Sequence, residues 1–329
     1  MRLAVYICAN AHYIPLAMLF MESFAERAQI SQPFDFYCFS DSEEMVETFC
    51  LEPAYNWVKF RRGYVTDLPN FTAWPDAFYY GMGMKIYALH ELRPHYDRIL
   101  YLDVDMMINR PLDDLVNADL QGKALGAVPD FQFSRHGMIE IREKHLAEIL
   151  TYRDKLMGQG EAYINSGMFL VDCAQPVALP DYDEFAVEWQ PSLIDQDYLN
   201  FAYRDNMAIL PDTFNFMVDQ AFMNRLTYQA RIGGSIAMSE AHIQHFHGQA
   251  KPWKQAGSYG YEQLLDGMNT ARFFEVYDRL RPLFEDVPDY GWLTENIAIN
   301  RPRLEQSDAL AARFAERLRA KASPGRPVR

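Results

Sequence analysis

The sequence lacks a long uninterrupted apolar segment. No part of its 329 residues forms a run of the roughly 18 apolar residues that a bilayer-spanning helix needs. The first apolar segment, residues 3–9, is too short for the hydrophobic region of a secretory signal and is followed by Asn10 and His12. We therefore expect the chain to fold in the cytoplasm.

Cysteine is also scarce. Cys8, Cys38, Cys50 and Cys173 lie far apart in the sequence and form no C-x-x-C pair. Three of them lie in or beside apolar segments of strand length. This distribution is typical of reduced thiols in a protein core, and it argues against a disulfide framework or a cysteine-ligated metal.

Basic residues are outnumbered by acidic ones. The chain has 31 Lys and Arg residues against 45 Asp and Glu residues, which gives a formal net charge of −14. Because nucleic acids are bound through clustered Lys and Arg, this balance excludes nucleic acid as the main partner. The exception is the segment 301–329, which carries eight basic and three acidic side chains.

Short apolar segments alternate with longer segments of helical periodicity up to about Trp253. This alternation predicts an α/β fold with a mainly parallel central sheet. The predicted strands are 3–10, 34–41, 57–60, 98–105, 124–128, 163–172, 207–210 and 241–247, and the predicted helices are 14–24, 81–93, 139–157 and 181–204. We predict a main domain over residues 1–255 and a C-terminal helical extension over 256–329.

Two aspartates follow the apolar segment 99–102. Asp103 and Asp105 stand at its carboxyl end, where open α/β sheets bind ligands. Strand alternation would point both carboxylates to one side, where they repel unless a cation or a proton lies between them. Mg²⁺ or Mn²⁺ prefers such oxygen ligands and can also contact a substrate diphosphate. Two solvated loop carboxylates are the alternative interpretation.

Two other motifs resemble this pair of aspartates. A calcium loop requires a third oxygen ligand at position 107 and then glycine, so Met107 and Ile108 exclude it. Haloacid-dehalogenase-like phosphatases also end a strand in Asp-x-Asp, with the first aspartate as nucleophile. Their motif lies near the N terminus and has Thr or Val in place of Met107. A phosphatase with Asp103 as nucleophile stays an alternative.

Three further motifs accompany the aspartates. They are YINSGMFLVD at 163–172, DQDYLN at 195–200 and HFHGQAKPW at 245–253. In this order the four motifs resemble glycosyltransferase family 8, which includes bacterial lipopolysaccharide and lipooligosaccharide galactosyl- and glucosyltransferases and glycogenin. The resemblance covers about residues 3–253. It implies the Rossmann-like nucleotide-diphospho-sugar transferase fold, with residues 1–255 as the catalytic domain.

The resemblance also implies an activity. Family members are retaining glycosyltransferases that use Mn²⁺, for which Mg²⁺ is the possible substitute, and a UDP-sugar. For this chain we expect transfer of a hexose, galactose or glucose, from UDP-hexose to a saccharide or lipid-linked saccharide acceptor, in lipopolysaccharide or surface-polysaccharide biosynthesis. A non-catalytic carbohydrate-binding protein with the same fold is a further alternative.

Residue roles near the donor phosphates follow from the same motifs. Asp103, Asp105 and His245 match the metal ligands of the family, and an imidazole among carboxylates favours Mn²⁺ over Mg²⁺. Lys251 matches the lysine that reaches the diphosphate and neutralises its developing charge. Gly248 would allow a close approach of the backbone to the phosphates.

The remaining motif positions concern the sugar. Asn165 and Asp195 match residues that hold donor-sugar hydroxyls, and Asp130 is expected to join them. Gln196 matches the residue beneath the anomeric carbon. Since an amide is a poor nucleophile, the resemblance implies front-face departure and attack within one ion pair, with Asp195 as the alternative nucleophile.

Two positions depart from the family pattern on the nucleotide side. Asn10 stands where relatives have the aspartate that holds the uracil ring, and its amide can also pair with a uracil edge. Lys85 stands near the usual helix arginine that contacts the nucleotide, and the two side chains are not equivalent at bidentate sites. We expect UDP to bind, with an altered affinity.

The basic C-terminal segment has the pattern of an amphipathic helix from Ser307 onward. Leu310, Phe314 and Leu318 recur every four residues among basic side chains. The helix could dock on the main domain with a solvated basic face, or it could lie on an anionic membrane surface. The second interpretation predicts peripheral contact with the inner membrane face.

Overall fold

The computed structural model describes residues 1–42, 53–63, 77–130, 151, 154–157, 162–181, 184–185, 188, 194–217, 240–247, 251–254 and 270–322. The chain forms two compact units. The first comprises Met1–Ala17, Gln29–Val104 and Pro111–Phe214, and the second comprises Met18–Ala28, Asp105–Arg110 and Asn215–Arg329. The chain thus passes from the first unit to the second between the two aspartates of the Asp-x-Asp motif. The boundary expected at 255/256 lies outside the described residues.

The strands and helices of the described residues alternate along the first two thirds of the chain. The strands are β1 (Leu3–Ala9), β2 (Phe34–Ser40), β3 (Val58–Arg62), β4 (Arg98–Leu102), β5 (Met106–Ile108), β6 (Leu125–Pro129), β7 (Ile164–Asp172), β8 (Met207–Ile209), β9 (Phe216–Met217) and β10 (Ile243–His245). The helices are α1 (Ile14–Arg27), α2 (Ala77–Leu92), α3 (Asp113–Val116), α4 (Ile194–Ala202), α5 (Ala271–Leu280) and α6 (Gly291–Ala322).

The first unit is built on a seven-stranded sheet in the order β3-β2-β1-β4-β7-β6-β8. Neighbouring strands are parallel except at β7, which runs antiparallel to both β4 and β6. The predicted α/β fold with a mainly parallel sheet is therefore confirmed. Because β7 runs the other way, its N-terminal residues meet the carboxyl end of β4, and Leu102 pairs with Met168.

Aromatic side chains pack the centre of this sheet. Tyr6, Tyr101 and Phe169 come from the three adjacent strands β1, β4 and β7, and each is at most 2% exposed. The rings of Tyr101 and Phe169 stack with centroids 5.0 Å apart, and Tyr6 lies 4.8 Å from Tyr101. Apolar burial at this point fixes the carboxyl end of β4 and the adjacent part of β7. The polar residues of the site lie next to these buried rings.

The second unit contains a separate three-stranded sheet in the order β5-β10-β9. The prediction that residues 241–247 complete the central sheet is therefore wrong. Strand β10 pairs antiparallel with β5 and parallel with β9. Strand β5 resumes directly after the two aspartates, and its apolar residues Met106–Ile108 supply the edge with which β10 pairs.

Helix α6 begins earlier than the predicted tail helix, at Gly291 rather than near Ser307. Its buried residues Leu293, Ile297, Asn300 and Leu304 form one stripe along the helix. Leu310, the first large apolar residue of the predicted tail helix, is 61% exposed. In the described part of the chain, no helix combines the length and the apolar character needed to cross a bilayer.

Two pairs of residues hold α6 within the second unit. Arg301 forms a bidentate ion pair with Asp278 of α5, at 2.5 and 2.8 Å. Asp308 accepts hydrogen bonds from the backbone N–H and the hydroxyl of Thr270, directly before α5. Since these contacts lie before residue 309, the first half of α6 is an integral part of the second unit.

Candidate functional site

Lys85 is a buried cation in helix α2 of the first unit. Its ammonium group donates to Oδ2 of Asp195 at 2.5 Å, and to the hydroxyl and carbonyl oxygens of Ser166 at 3.3 and 3.1 Å. Oδ1 of Asp103 lies 3.3 Å away. Burial lowers the pKa of Lys85, but the charges of Asp103 and Asp195 outweigh burial and raise that pKa above its usual range. Lys85 is therefore a permanent positive charge between two carboxylates.

Asp103 directly follows β4 and belongs to the same group of side chains. Its Oδ1 accepts a hydrogen bond of 2.5 Å from the hydroxyl of Tyr101. Its backbone N–H donates to the carbonyl of Gly167 in β7, at 2.8 Å. The side chain is 28% exposed, so the carboxylate is held by protein groups but remains accessible to solvent.

A buried amide and carboxylate network lies at the start of β7. Nδ2 of Asn165 donates to Oδ2 of Asp130 and to Oε1 of Gln196, each at 3.1 Å. Nε2 of Gln196 donates to the same oxygen of Asp130, also at 3.1 Å. All three side chains are at most 5% exposed. Since a carboxylate only accepts, Asp130 fixes the orientation of both amides.

Asp195 lies in the first turn of α4, where the positive end of the helix dipole favours an acidic side chain. Its Oδ2 accepts from the hydroxyl of Ser166 at 2.8 Å, besides its bond from Lys85. We refer to Lys85, Asp103, Asp130, Asn165, Ser166, Asp195 and Gln196 as the Lys85 cluster. All of its members belong to the first unit.

Asn10 follows β1 and caps a short 3₁₀ helix. Its Oδ1 accepts from the backbone N–H of Tyr13 at 3.1 Å. The neighbouring N–H of Ala11 donates to Asp41, which follows β2, at 2.9 Å. The side-chain oxygen of Asn10 thus has a local structural role, and Nδ2 is the end of its amide that could donate to a ligand.

A second polar group, the Asp105 cluster, lies in the second unit and consists of Asp105, Asn215, His245 and Lys251. Nδ1 of His245 and Oδ1 of Asn215 are 2.8 Å apart. An amide oxygen can only accept, so Nδ1 donates to Asn215, and Nε2 is the ring nitrogen that remains for Asp105. Nε2 faces Oδ1 of Asp105 at 3.2 Å.

The other oxygen of Asp105 is bound by Lys251. Nζ of Lys251 donates to Oδ2 of Asp105 at 2.5 Å. Burial raises the pKa of Asp105, but the positive charge of Lys251 and the contact with His245 outweigh burial and hold that pKa well below its usual range. Asp105 is thus ionised at neutral pH. Gly248 lies outside the described residues.

The Asp105 cluster fits a divalent cation. Oδ1 of Asp105 is buried and lies 3.2 Å from Nε2 of His245. A carboxylate oxygen and an imidazole nitrogen at this distance can hold a proton or a cation between them. Metal-binding histidines commonly donate their other N–H to a fixed acceptor, as His245 does to Asn215. Asp105 and His245 are therefore of the right type and orientation for two ligands of one ion.

The structure adds residues that the sequence motifs did not indicate. Tyr101, Ser166 and Asn215 each hold a predicted site residue through a hydrogen bond. Ser166 lies inside the YINSGMFLVD motif, so the motif could have indicated it as a site residue. Asn215 is fully buried and stands between Phe214 and Phe216 in the sequence. A polar amide in such an apolar segment could have indicated a residue with a specific hydrogen-bonding role.

Comparison with known proteins places the chain in a family. Residues 5–257 match the model of glycosyl transferase family 8. Galactinol synthase 1 of Solanum lycopersicum is 25% identical over 185 residues, which cover 56% of this chain and 53% of that protein. Glycosyltransferase GlyF of Streptococcus pneumoniae serotype 4 is 28% identical over 162 residues, 48% of this chain and 34% of that protein. The chain thus matches about half or less of these curated relatives.

Solved structures show the same fold. A crystal structure of an active-site mutant of LgtC has a TM-score of 0.59 at 21% identity, covering 84% of this chain and 95% of that one. The galactosyltransferase LgtC in complex with donor and acceptor sugar analogues has a TM-score of 0.54 at 22% identity, covering 79% and 93%. Because the family model matches residues 5–257, which is most of the chain, the chain belongs to glycosyl transferase family 8.

Proposed function

We propose that the protein is a Mn²⁺-dependent, retaining hexosyltransferase that moves galactose or glucose from UDP to a saccharide acceptor. The observation that carries the proposal is the pairing in the Asp105 cluster. The ionised carboxylate of Asp105 is 15% exposed and faces the Nε2 of His245 with one oxygen and the ammonium group of Lys251 with the other. This arrangement suits a cation and a polyphosphate side by side.

Asp103 is the proposed third ligand of the cation. It stands two residues before Asp105, so the backbone between them limits the separation of the two carboxylates. Together with His245 they offer oxygen and nitrogen donors, a set that favours Mn²⁺ over Mg²⁺. A bound Mn²⁺ would neutralise charge on the donor diphosphate. Lys251 would bind the same diphosphate and stabilise UDP as the leaving group.

The Lys85 cluster is the proposed sugar site. Asp130, Asn165 and Asp195 present carboxylate and amide groups that can bind sugar hydroxyls. The amide nitrogen of Gln196 donates to Asp130, and its carbonyl oxygen accepts from Asn165 and from the backbone N–H of Ser166, so the direction of that oxygen is fixed. That oxygen would stabilise positive charge at the anomeric carbon while the bond from the sugar to UDP breaks. The acceptor oxygen then bonds to the same face, and its proton passes to the leaving phosphate oxygen.

Asp195 is the alternative nucleophile, and its contacts argue against that role. Lys85 and Ser166 both donate to its Oδ2. A carboxylate that is neutralised and hydrogen-bonded in this way is a weaker nucleophile than a solvated one. The contacts therefore argue against a covalent intermediate on Asp195, and we propose the ion-pair mechanism.

UDP is the proposed nucleotide. Nδ2 of Asn10 is a suitable donor for a uracil carbonyl, while the contacts of Lys85 with Asp195 and Asp103 associate it with the sugar and metal ligands. LgtC, a galactosyltransferase whose structure holds donor and acceptor sugar analogues, supports the transfer of a hexose to a saccharide. We propose lipopolysaccharide or surface-polysaccharide assembly as the process. No observation favours the phosphatase or the non-catalytic alternative.

Calorimetry of UDP with and without Mn²⁺ tests the proposed site. Wild-type protein should bind UDP in the presence of Mn²⁺, and removal of the ion should weaken binding at least about tenfold, since phosphate binding at such sites depends on the cation. His245→Ala should lose the Mn²⁺ effect. His242→Ala, one residue before β10, is the matched control and should retain it. Mn²⁺-independent binding, or equal behaviour of the two variants, would contradict the metal assignment.

The basic tail is the proposed membrane contact. Leu304 of α6 is buried, whereas Leu310, Arg313 and Glu316 are exposed. We expect removal of residues 310–329 to abolish binding to anionic liposomes and to leave transfer to a soluble acceptor intact, because the contacts of Arg301 and Asp308 remain. Cosedimentation with phosphatidylglycerol and phosphatidylcholine vesicles measures this. Unchanged liposome binding after truncation would show that the tail is not the contact.

A further inference from the structure

The segment 251–254, which we call the Lys251 turn, has a defined local structure. The backbone N–H of Lys254 donates to the carbonyl of Lys251 at 3.2 Å, which closes a four-residue turn. Pro252 occupies the second position of this turn, where the fixed φ of proline is favourable. The sequence therefore favours a turn directly after the residue that is proposed to bind the diphosphate.

One side chain of α6 binds two carbonyl groups of this turn. Nδ2 of Asn300 donates to the carbonyl of Pro252 at 2.9 Å and to the carbonyl of Lys254 at 2.7 Å. Asn300 is 4% exposed and belongs to the buried stripe of α6. A primary amide supplies two N–H groups from one nitrogen, and Leu at this position would supply none.

The same turn is anchored a second time by an aromatic ring. Trp253 is 4% exposed and stacks on Phe273 of α5, with ring centroids 5.4 Å apart. Nζ of Lys251 lies 5.9 Å from the centroid of the Trp253 ring and reaches Oδ2 of Asp105. The backbone of the turn is thus fixed at two points. This fixes the place from which the side chain of Lys251 extends to Asp105.

We propose that Asn300 is a positioning residue that holds Lys251 in place for the donor diphosphate. The inference rests on the proposed function, in which Lys251 binds that diphosphate. Asn300 itself acts through the backbone of the turn. Loss of its donors would leave the carbonyls of Pro252 and Lys254 without their amide partner, and the turn would relax to recover hydrogen bonds. Lys251 would then move away from its position beside Asp105.

The test compares UDP with UMP, which lacks the second phosphate. In the presence of Mn²⁺, Asn300→Leu should bind UDP about tenfold more weakly, the value of one charge-assisted hydrogen bond, while UMP affinity changes by less than about twofold. Asn300→Ser, which cannot donate to both carbonyls, is the second variant and should shift the UDP-to-UMP preference in the same direction. Calorimetric displacement measures both nucleotides on the full chain.

Leu304→Ala is the matched control, because Leu304 lies in the same buried stripe and is fully buried. It should lower the melting temperature through the cavity it creates and leave the UDP-to-UMP preference unchanged. In a Lys251→Met background, Asn300→Leu should have no further effect on UDP affinity, because Asn300 affects UDP binding only by positioning the Lys251 side chain.

The outcomes separate the two proposals. If Lys251→Met weakens UDP binding but Asn300→Leu and Asn300→Ser do not, the positioning role is overturned and the proposed function stands. An equal loss of preference in Leu304→Ala would also overturn it, since the effect would then reflect destabilisation of the helix. If Lys251→Met binds UDP like the wild type, the proposed role of Lys251 in binding the diphosphate is overturned. The positioning role of Asn300, which depends on it, is then overturned as well.

Discussion

Asp105→Asn should reduce the release of UDP from UDP-galactose or UDP-glucose by at least about 10²–10³-fold, the loss expected when one contact that stabilises developing charge is removed. The substitution keeps the shape of the side chain and removes its charge. His245 and Lys251 both contact this carboxylate, so the proposed cation and the lysine would lose their common partner. The effect should appear in kcat as well as in donor affinity.

The measurement is the rate of UDP release at saturating Mn²⁺, with circular dichroism to establish that the variant is folded. Asp114→Asn removes an exposed carboxylate of α3 and is the matched control, for which activity should stay near the wild-type value. Activity of Asp105→Asn within a few fold of the wild type would refute the assignment of Asp105. A phosphoryl group trapped on Asp103 would favour the phosphatase alternative.

Lys85→Met should lower the free energy of unfolding by about 3–5 kcal/mol, the range for breaking a buried ion pair from one side. Lys85 and Asp195 have side chains that are only 5% and 6% exposed, so water cannot replace the lost charge. Asp195 would keep the hydroxyl of Ser166 and Asp103 the hydroxyl of Tyr101, and neither hydroxyl carries a compensating charge. At about 2–4 °C for each kcal/mol in a domain of this size, the melting temperature should fall by roughly 10 °C.

Lys59→Met provides the comparison. Lys59 pairs with Asp35 at 2.8 Å, but the two side chains are 47% and 36% exposed, and such surface pairs contribute about 0–1 kcal/mol. Both variants should be unfolded thermally in the presence of a chelator, so that no cation contributes. Adding Asp195→Asn to Lys85→Met should recover part of the stability, because it removes the uncompensated charge. Equal melting temperatures for Lys85→Met and Lys59→Met would contradict the role of Lys85.

The central sheet could be predicted from the sequence because its strands carry dense apolar segments. Strands β1 and β2 occur within one residue of their predicted ends. The short strands β5 and β9 were missed, since segments of three and two residues are too short to show a period. The helix predicted over 181–204 is described as α4, Ile194–Ala202, with further helical residues at 184–185 and 188. Most of the helix predicted over 139–157 lies outside the described residues.

The candidate site was predictable in its residue types and only partly in its geometry. The alternation argument for Asp103 and Asp105 does not apply, because β4 ends at Leu102 and the aspartates lie in a turn. Motif order could indicate His245 and Lys251. It could not indicate Asn215 or Asn300, because they act through hydrogen bonds to residues 30 and 46–48 positions away, and no local pattern reports such distances.

The position of β7 beside β4 has a consequence for the newly made chain. In the sheet, β4 lies between β1 and β7, so until residues 164–172 leave the ribosome β4 is an edge strand. Four of its five residues are buried in the finished fold, and an apolar edge of this kind is open to pairing with other chains. While residues 103–172 are being synthesised, the pairing edge of β4 is therefore open to other chains, and a chaperone that covers it would protect the nascent protein.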